Sequence, residues 1–136
     1  MAKILIVEDS TFFRQLLKET LLFRYPKMDI SEAPNAEEAL KKVNILSPDL
    51  IFVDIRLPGE SGLDFTRKIK STHPNIPIII LTSYDLPEYR EAAREYQADH
   101  FLSKGTTTKE DILEMVKSIL AKRDLASNGH NPGGLS

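Results

Sequence analysis

In four places this sequence runs a stretch of apolar residues straight into a side chain capable of chemistry. Lys3-Ile4-Leu5-Ile6-Val7 ends in Glu8-Asp9, and Leu50-Ile51-Phe52-Val53 ends in Asp54. Ile76-Pro77-Ile78-Ile79-Ile80-Leu81 ends in Thr82-Ser83, and His100-Phe101-Leu102-Ser103 ends in Lys104. Taken singly, each is ordinary. An acidic pair favours a helix amino terminus, Thr is common where a strand ends, and a Lys after a strand is usually solvated. Taken together they amount to three carboxylates, a hydroxyl and an ammonium. Three carboxylates in one cleft repel and raise one another's pKa values. A divalent cation relieves that repulsion, and an all-oxygen donor set selects a hard ion such as Mg²⁺. The ion and Lys104 would neutralise the oxygens of a transferring phosphoryl group. Asp54 is central enough to be the nucleophile, forming an aspartyl-phosphate. Thr82 offers its hydroxyl to one phosphoryl oxygen, and Ser83 adds a further donor.

These residues converge only if the strands are parallel and adjacent. Unbroken apolar runs of this length read as strands buried on both faces. Between them lie helical patterns. Phe13, Leu16, Leu17 and Leu21 face a core after a cap at Asp9 or Ser10. A short strand over Met28–Glu32 precedes a capping box, Asn35 with Glu38, and a helix burying Ala36, Ala39, Leu40 and Val43. Gly62 to about Ser71 is a third helix with Leu63, Phe65 and Ile69 inward. Leu86–Gln97 is a fourth, whose face of Tyr89, Ala92, Ala93 and Tyr96 is thin and predicts weak anchoring. A last helix from Thr107-Thr108 buries Ile112, Met115, Val116, Ile119 and Leu120. Five strand–helix units with short loops predict an α/β fold: a doubly wound, flavodoxin-like (βα)5 sheet of five parallel strands in the order 2-1-3-4-5. In such a sheet ligands sit at the carboxyl ends of the strands.

The 136 residues suit one domain, here 1–124. From Leu125 to Ser136, Asn, Gly, Pro and Ser dominate, and the expectation is a disordered tail or expression scar. The net charge of −2, with no basic block, argues against direct nucleic-acid binding. No cysteine is present, which removes disulfides and thiolate chemistry. No apolar run approaches the ~20 residues of a membrane span, so a cytoplasmic protein is expected. His73, His100 and His130 are too scattered in the pattern for a metal triad.

In combination these motifs resemble the receiver domain of two-component response regulators, over residues 1 to about 124. The resemblance rests on Ile6-Val7-Glu8-Asp9, on Val53-Asp54 with Leu57-Pro58-Gly59 and Ser61-Gly62-Leu63, on Leu81-Thr82-Ser83 and on Phe101-Leu102-Ser103-Lys104. It implies that Asp54 takes a phosphoryl group from a sensor histidine kinase. Asp9, Asp54 and the backbone carbonyl of Arg56 would hold Mg²⁺, with Glu8 contributing, directly or through water. Thr82 and Phe101 would form a switch pair acting on the face of the fourth helix, fifth strand and fifth helix, where a homodimer or effector could dock. Gly105 stands where the family usually has a cis proline, so a cis bond after Lys104 is not expected. That departure, with Asp9-Ser10-Thr11-Phe12-Phe13-Arg14, is similar to receivers that precede a LuxR-type DNA-binding domain. The resemblance thus leaves two expectations: a receiver cut from a longer protein with a C-terminal DNA-binding effector domain, which the tail favours, or a stand-alone regulator.

The alternatives are a stand-alone flavodoxin-like ligand-binding domain and a phosphatase. A flavin carrier needs a phosphate-cradling loop where Glu8-Asp9 would repel phosphate. An aspartate-nucleophile phosphatase needs a second acid at the position of Arg56. The expected role is signalling rather than turnover. The resemblance to receivers implies that Arg56 and Tyr84, two residues beyond Asp54 and Thr82, flank the line of water attack, and they are expected to lengthen the phosphoryl lifetime.

Overall fold

β1 (Lys3–Val7), β3 (Leu50–Val53) and β4 (Ile78–Thr82) carry apolar residues with no polar alternation, and only a sheet covered on both faces can bury them. The structure, a computed structural model, describes the backbone of residues 2–129 and the side chains of residues 2–124. With β2 (Asp29–Ala33) and β5 (His100–Ser103) these strands form one parallel sheet in the order β2-β1-β3-β4-β5, as the sequence predicts. The helices are α1 (Thr11–Arg24), α2 (Ala36–Leu46), α3 (Gly62–Thr72), α4 (Pro87–Glu95) and α5 (Lys109–Gly129).

Side-chain alternation splits the core in two. Leu5, Val7, Ile51, Val53, Ile78 and Ile80 pack with Ala39, Val43, Phe65, Ile69 and Ala93 of α2, α3 and α4. Ile4, Ile6, Leu50, Phe52, Ile79 and Leu81 pack with Leu17, Leu21, Ile112, Val116 and Ile119 of α1 and α5. The register aligns Val7 with Val53 and Val53 with Ile80. The residues just beyond, Glu8, Asp54 and Leu81-Thr82, therefore end at one level.

Several boundaries differ from the sequence reading. β2 starts one residue late. β4 starts at Ile78 because Pro77 has no N–H for the ladder. α4 is shorter than expected, beginning with Pro87 at its first turn and ending before Gln97, whose φ of 67° is left-handed. Asn35 caps α2 by accepting from the Glu38 N–H, but the Glu38 carboxylate meets the Asn35 side-chain amide rather than its backbone. Leu40 is 37% exposed, not core: α2 needs only Ala36, Ala39 and Val43 against the sheet. Ile112, Val116 and Ile119 are buried on α5, while Met115 and Leu120 flank them, half-buried. α5 runs to Gly129, beyond the expected tail boundary at Leu125, since adding residues to a formed helix costs far less than nucleating one. The rest of that tail lies outside the described residues.

Candidate functional site

At the carboxyl edge of the sheet, two carboxylates share one ammonium. Lys104 Nζ donates to Glu8 Oε1 at 2.6 Å and to Asp54 Oδ2 at 3.0 Å. Glu8 is 3% and Asp54 6% exposed, so all three groups meet in a poorly hydrated place. Each carboxylate is tethered by its other oxygen. Glu8 Oε2 accepts from the Ser10 N–H at 3.0 Å, and Asp54 Oδ1 accepts from the Ile55 N–H at 2.7 Å. Burial holds the Glu8 carboxyl above the usual carboxylate range, against the pull of Lys104 and Ser10. Burial alone would lower the Lys104 pKa. The Glu8 hydrogen bond and the charges of Asp54 and Glu8 overcome that, so Lys104 lies above its ordinary value and is charged at neutral pH.

Local structure fixes this arrangement. Ser10 caps α1 by accepting from the Phe13 N–H at 3.2 Å. Arg14 donates to the Glu8 carbonyl at 2.7 Å and pairs with Glu32 at 3.1 Å, bracing the end of β1 against β2. On the other side the loop after Asp54 returns at once. Gly59 takes a φ of 79°, Gly62 N–H donates to the Ile55 carbonyl at 2.8 Å, and Ser61 caps α3. A Cβ on Gly62 would sit 1.9 Å from the Asp54 carbonyl oxygen, so only glycine lets α3 start against the back of Asp54.

Thr82 is fully buried beside the site. Its backbone carbonyl accepts from the Lys104 N–H at 2.9 Å, and its Oγ1 accepts from the Tyr84 N–H at 3.2 Å. Ser83 is exposed. Phe101 is half-buried, with the Arg90 guanidinium 4.6 Å from its ring centre. Arg90 is in turn held by both oxygens of Asp85, at 2.5 and 3.0 Å. Arg56 lies 4.3 Å above the ring of Tyr84, so these two exposed residues, which follow β3 and β4, stack on each other.

The three-carboxylate convergence is not what the structure shows. Asp9 is exposed, as expected for the neighbour of an inward residue at a strand end. Among the described residues no three acidic or histidine side chains stand close enough to share an ion. Lys104 fills the space between Glu8 and Asp54 instead. The donors still suit a hard divalent ion in kind: carboxylate oxygens from Glu8, Asp9 and Asp54, and an Arg56 carbonyl that accepts no backbone hydrogen bond among the described residues. Sequence reasoning missed Phe13 as a neighbour of the site. Its ring centre is 4.0 Å from Lys104 Nζ, whereas helical spacing had marked it only as core.

The response regulator receiver domain family matches residues 4–117. The response regulator GacA of Pseudomonas syringae is 29% identical over 88% of the chain, which covers 54% of that protein. The protein-glutamate methylesterase/protein-glutamine glutaminase of Bacillus subtilis is 39% identical over 93% of the chain, which covers 36% of it. The chain thus spans about half, or less, of these relatives' length. Among solved structures, a CheY-like receiver domain protein from Methanospirillum hungatei superposes with a TM-score of 0.85 at 26% identity, covering 93% of this chain and 98% of that one. A LuxR-family DNA-binding response regulator from Staphylococcus aureus gives 0.79 at 27% identity, covering 88% and 98%.

Proposed function

The chain belongs to the response regulator receiver domain family, and on that premise we propose that Asp54 accepts a phosphoryl group from the phosphohistidine of a sensor histidine kinase. One observation carries the reading: a buried aspartate at the end of the central strand, joined at 3.0 Å to a lysine that also holds a second buried acid. An Asp54 oxygen attacks phosphorus in line, the phosphorus–nitrogen bond of the donor breaks, and the imidazole leaves. Lys104 moves its charge onto the phosphoryl oxygens, and the Thr82 hydroxyl donates to one of them. Asp54, Asp9 and the Arg56 carbonyl would hold Mg²⁺, with Glu8 supporting them. Bound there, the ion would neutralise charge on the carboxylates and the transferring group.

The output follows from Thr82. Drawing its hydroxyl toward the phosphoryl group breaks the bond from the Tyr84 N–H, moves the β4–α4 loop, and lets Phe101 turn inward. The surface that changes is α4–β5–α5, where Arg90, Arg94, His100 and Phe101 line a groove of about 460 Å³. An effector domain or a second copy docks there. Arg56 and Tyr84, stacked on each other, slow the attack of water on the phosphoryl group. No helix among the described residues is long and apolar enough to cross a membrane, and the proposed setting is the cytoplasm.

The test is direct. With acetyl phosphate or phosphoramidate and Mg²⁺, the intact mass should rise by one phosphoryl group, acid-stable and base-labile. Asp54→Asn should lower the rate at least about 100-fold, as expected when a nucleophile is removed. Labelling of that variant at the original rate would refute the assignment.

A further inference from the structure

Lys104 has three N–H bonds and two carboxylate partners. A third neighbour is an aromatic ring: Phe13 of α1, with its centre 4.0 Å from Nζ. That distance places the ammonium within the attractive field of the aromatic face. The backbone that carries the ring is held, and the ring itself packs half-buried against the α1–α5 side of the core. Phe13 N–H is held by Ser10 Oγ, Ser10 N–H is held by Glu8 Oε2, and Glu8 Oε1 receives Lys104. The contacts close a circuit from Glu8 through Ser10 and Phe13 to Lys104 and back to Glu8.

We propose that Phe13 is a positioning residue for Lys104, acting through the face of its ring. The inference rests on the phosphoacceptor reading above. To serve an incoming phosphoryl group, Lys104 must loosen its bonds to Glu8 and Asp54. A carboxylate in place of Phe13 would compete for the ammonium, and a cation would repel it. A neutral aromatic face does neither, yet still attracts the charge, so it can hold Nζ beside the site both before and after the carboxylates release it. An aliphatic residue would fill the same volume against the α1–α5 side of the core, where Phe13 also packs, without holding the charge.

Fluorination of the ring separates the two roles, because it weakens the face's attraction for cations at nearly constant volume. Protein carrying 4-fluoro-, 3,5-difluoro- or 3,4,5-trifluorophenylalanine at position 13 should show a stepwise fall in the rate of Asp54 labelling by phosphoramidate. Phe13→Leu should be slower by about 3- to 10-fold, the range expected of a partly buried cation–π contact, and Phe13→Tyr should retain the rate. A readout independent of activity is the ring-current shift of the Lys104 ε-methylene protons, upfield in the original protein and lost in Phe13→Leu. Equal rates across the fluorinated series, or unshifted ε-protons in the original protein, would overturn the positioning role while Asp54 labelling stood. Absence of labelling in the unmodified protein would bring down the functional reading and this inference together.

Discussion

The two sides of the carboxyl edge are built differently. Glu8 and Asp54 stand on β1 and β3, whose last four residues are all buried, and each carboxylate has both oxygens bonded. Thr82 is as deeply buried, but the chain after it is not. Residues 83–88 are exposed, α4 buries only Ala93, and every residue of β5 is half-buried. Phe101 is held by Arg90, itself 50% exposed in its side chain and anchored to Asp85 in the exposed stretch after β4. Nucleophile geometry has to be stiff, because misplaced reacting atoms lose rate steeply. A switch has to be cheap to move, and weakly packed segments open at low free energy. The contrast suits the proposed pairing of a phosphoacceptor with a switch.

The largest expected difference is in stability. Phe52→Ala in β3 should cost about 3–5 kcal/mol, the usual loss for a fully buried Phe. Tyr89→Ala on half-buried α4 should cost about 1 kcal/mol. Denaturant midpoints measure both, and similar losses would erase the contrast. Hydrogen exchange would sharpen it: α4 amides should exchange through local opening, and β1 and β3 amides only with global unfolding.

A smaller effect concerns the stacked pair of Arg56 and Tyr84. Tyr84→Ala removes the platform under Arg56 and should shorten the phosphorylated half-life about threefold, in keeping with a partly exposed cation–π stack. An unchanged or longer half-life, followed by intact mass, would show that the pair does not screen water.

The smallest effect is a pH dependence on the stiff side. Glu8 has a raised pKa in the folded protein, chiefly through burial, so the fold binds its proton more tightly than the unfolded chain does. Below the unfolded value of about 4.3 its ionisation contributes nothing to the balance. As pH rises from there through the folded value, ionisation progressively disfavours the fold. Glu8→Gln does not titrate. Its stability relative to the original protein, measured by urea unfolding with metal chelated, should therefore rise across that window and then level off. A flat or falling difference would mean that Lys104 outweighs burial.

Much of the site was legible because it sits at strand ends. An apolar run that stops at one polar residue marks both the strand and the edge where it ends. Four such runs, with crossover rules to order them, brought Glu8, Asp54, Thr82 and Lys104 together. Leu40 was misjudged because helical spacing tells which residues share a face, not how wide the covered strip is. Gly62 was seen as part of a motif, but its physical reason, the Asp54 carbonyl against its Cα, appears only in three dimensions.

By itself the sequence determined the strands, the place of Asp54 at the end of one of them and the types of groups around it, since these follow from local periodicity, and general crossover rules then supplied the sheet order. Only the tertiary structure decided which carboxylate faces inward, that one ammonium bridges two acids, and that the ring of Phe13 lies against it. Those outcomes depend on side chains from separate elements competing for one desolvated space. There an unpaired charge is costly, and each group's partner is set by whatever the fold brings within reach.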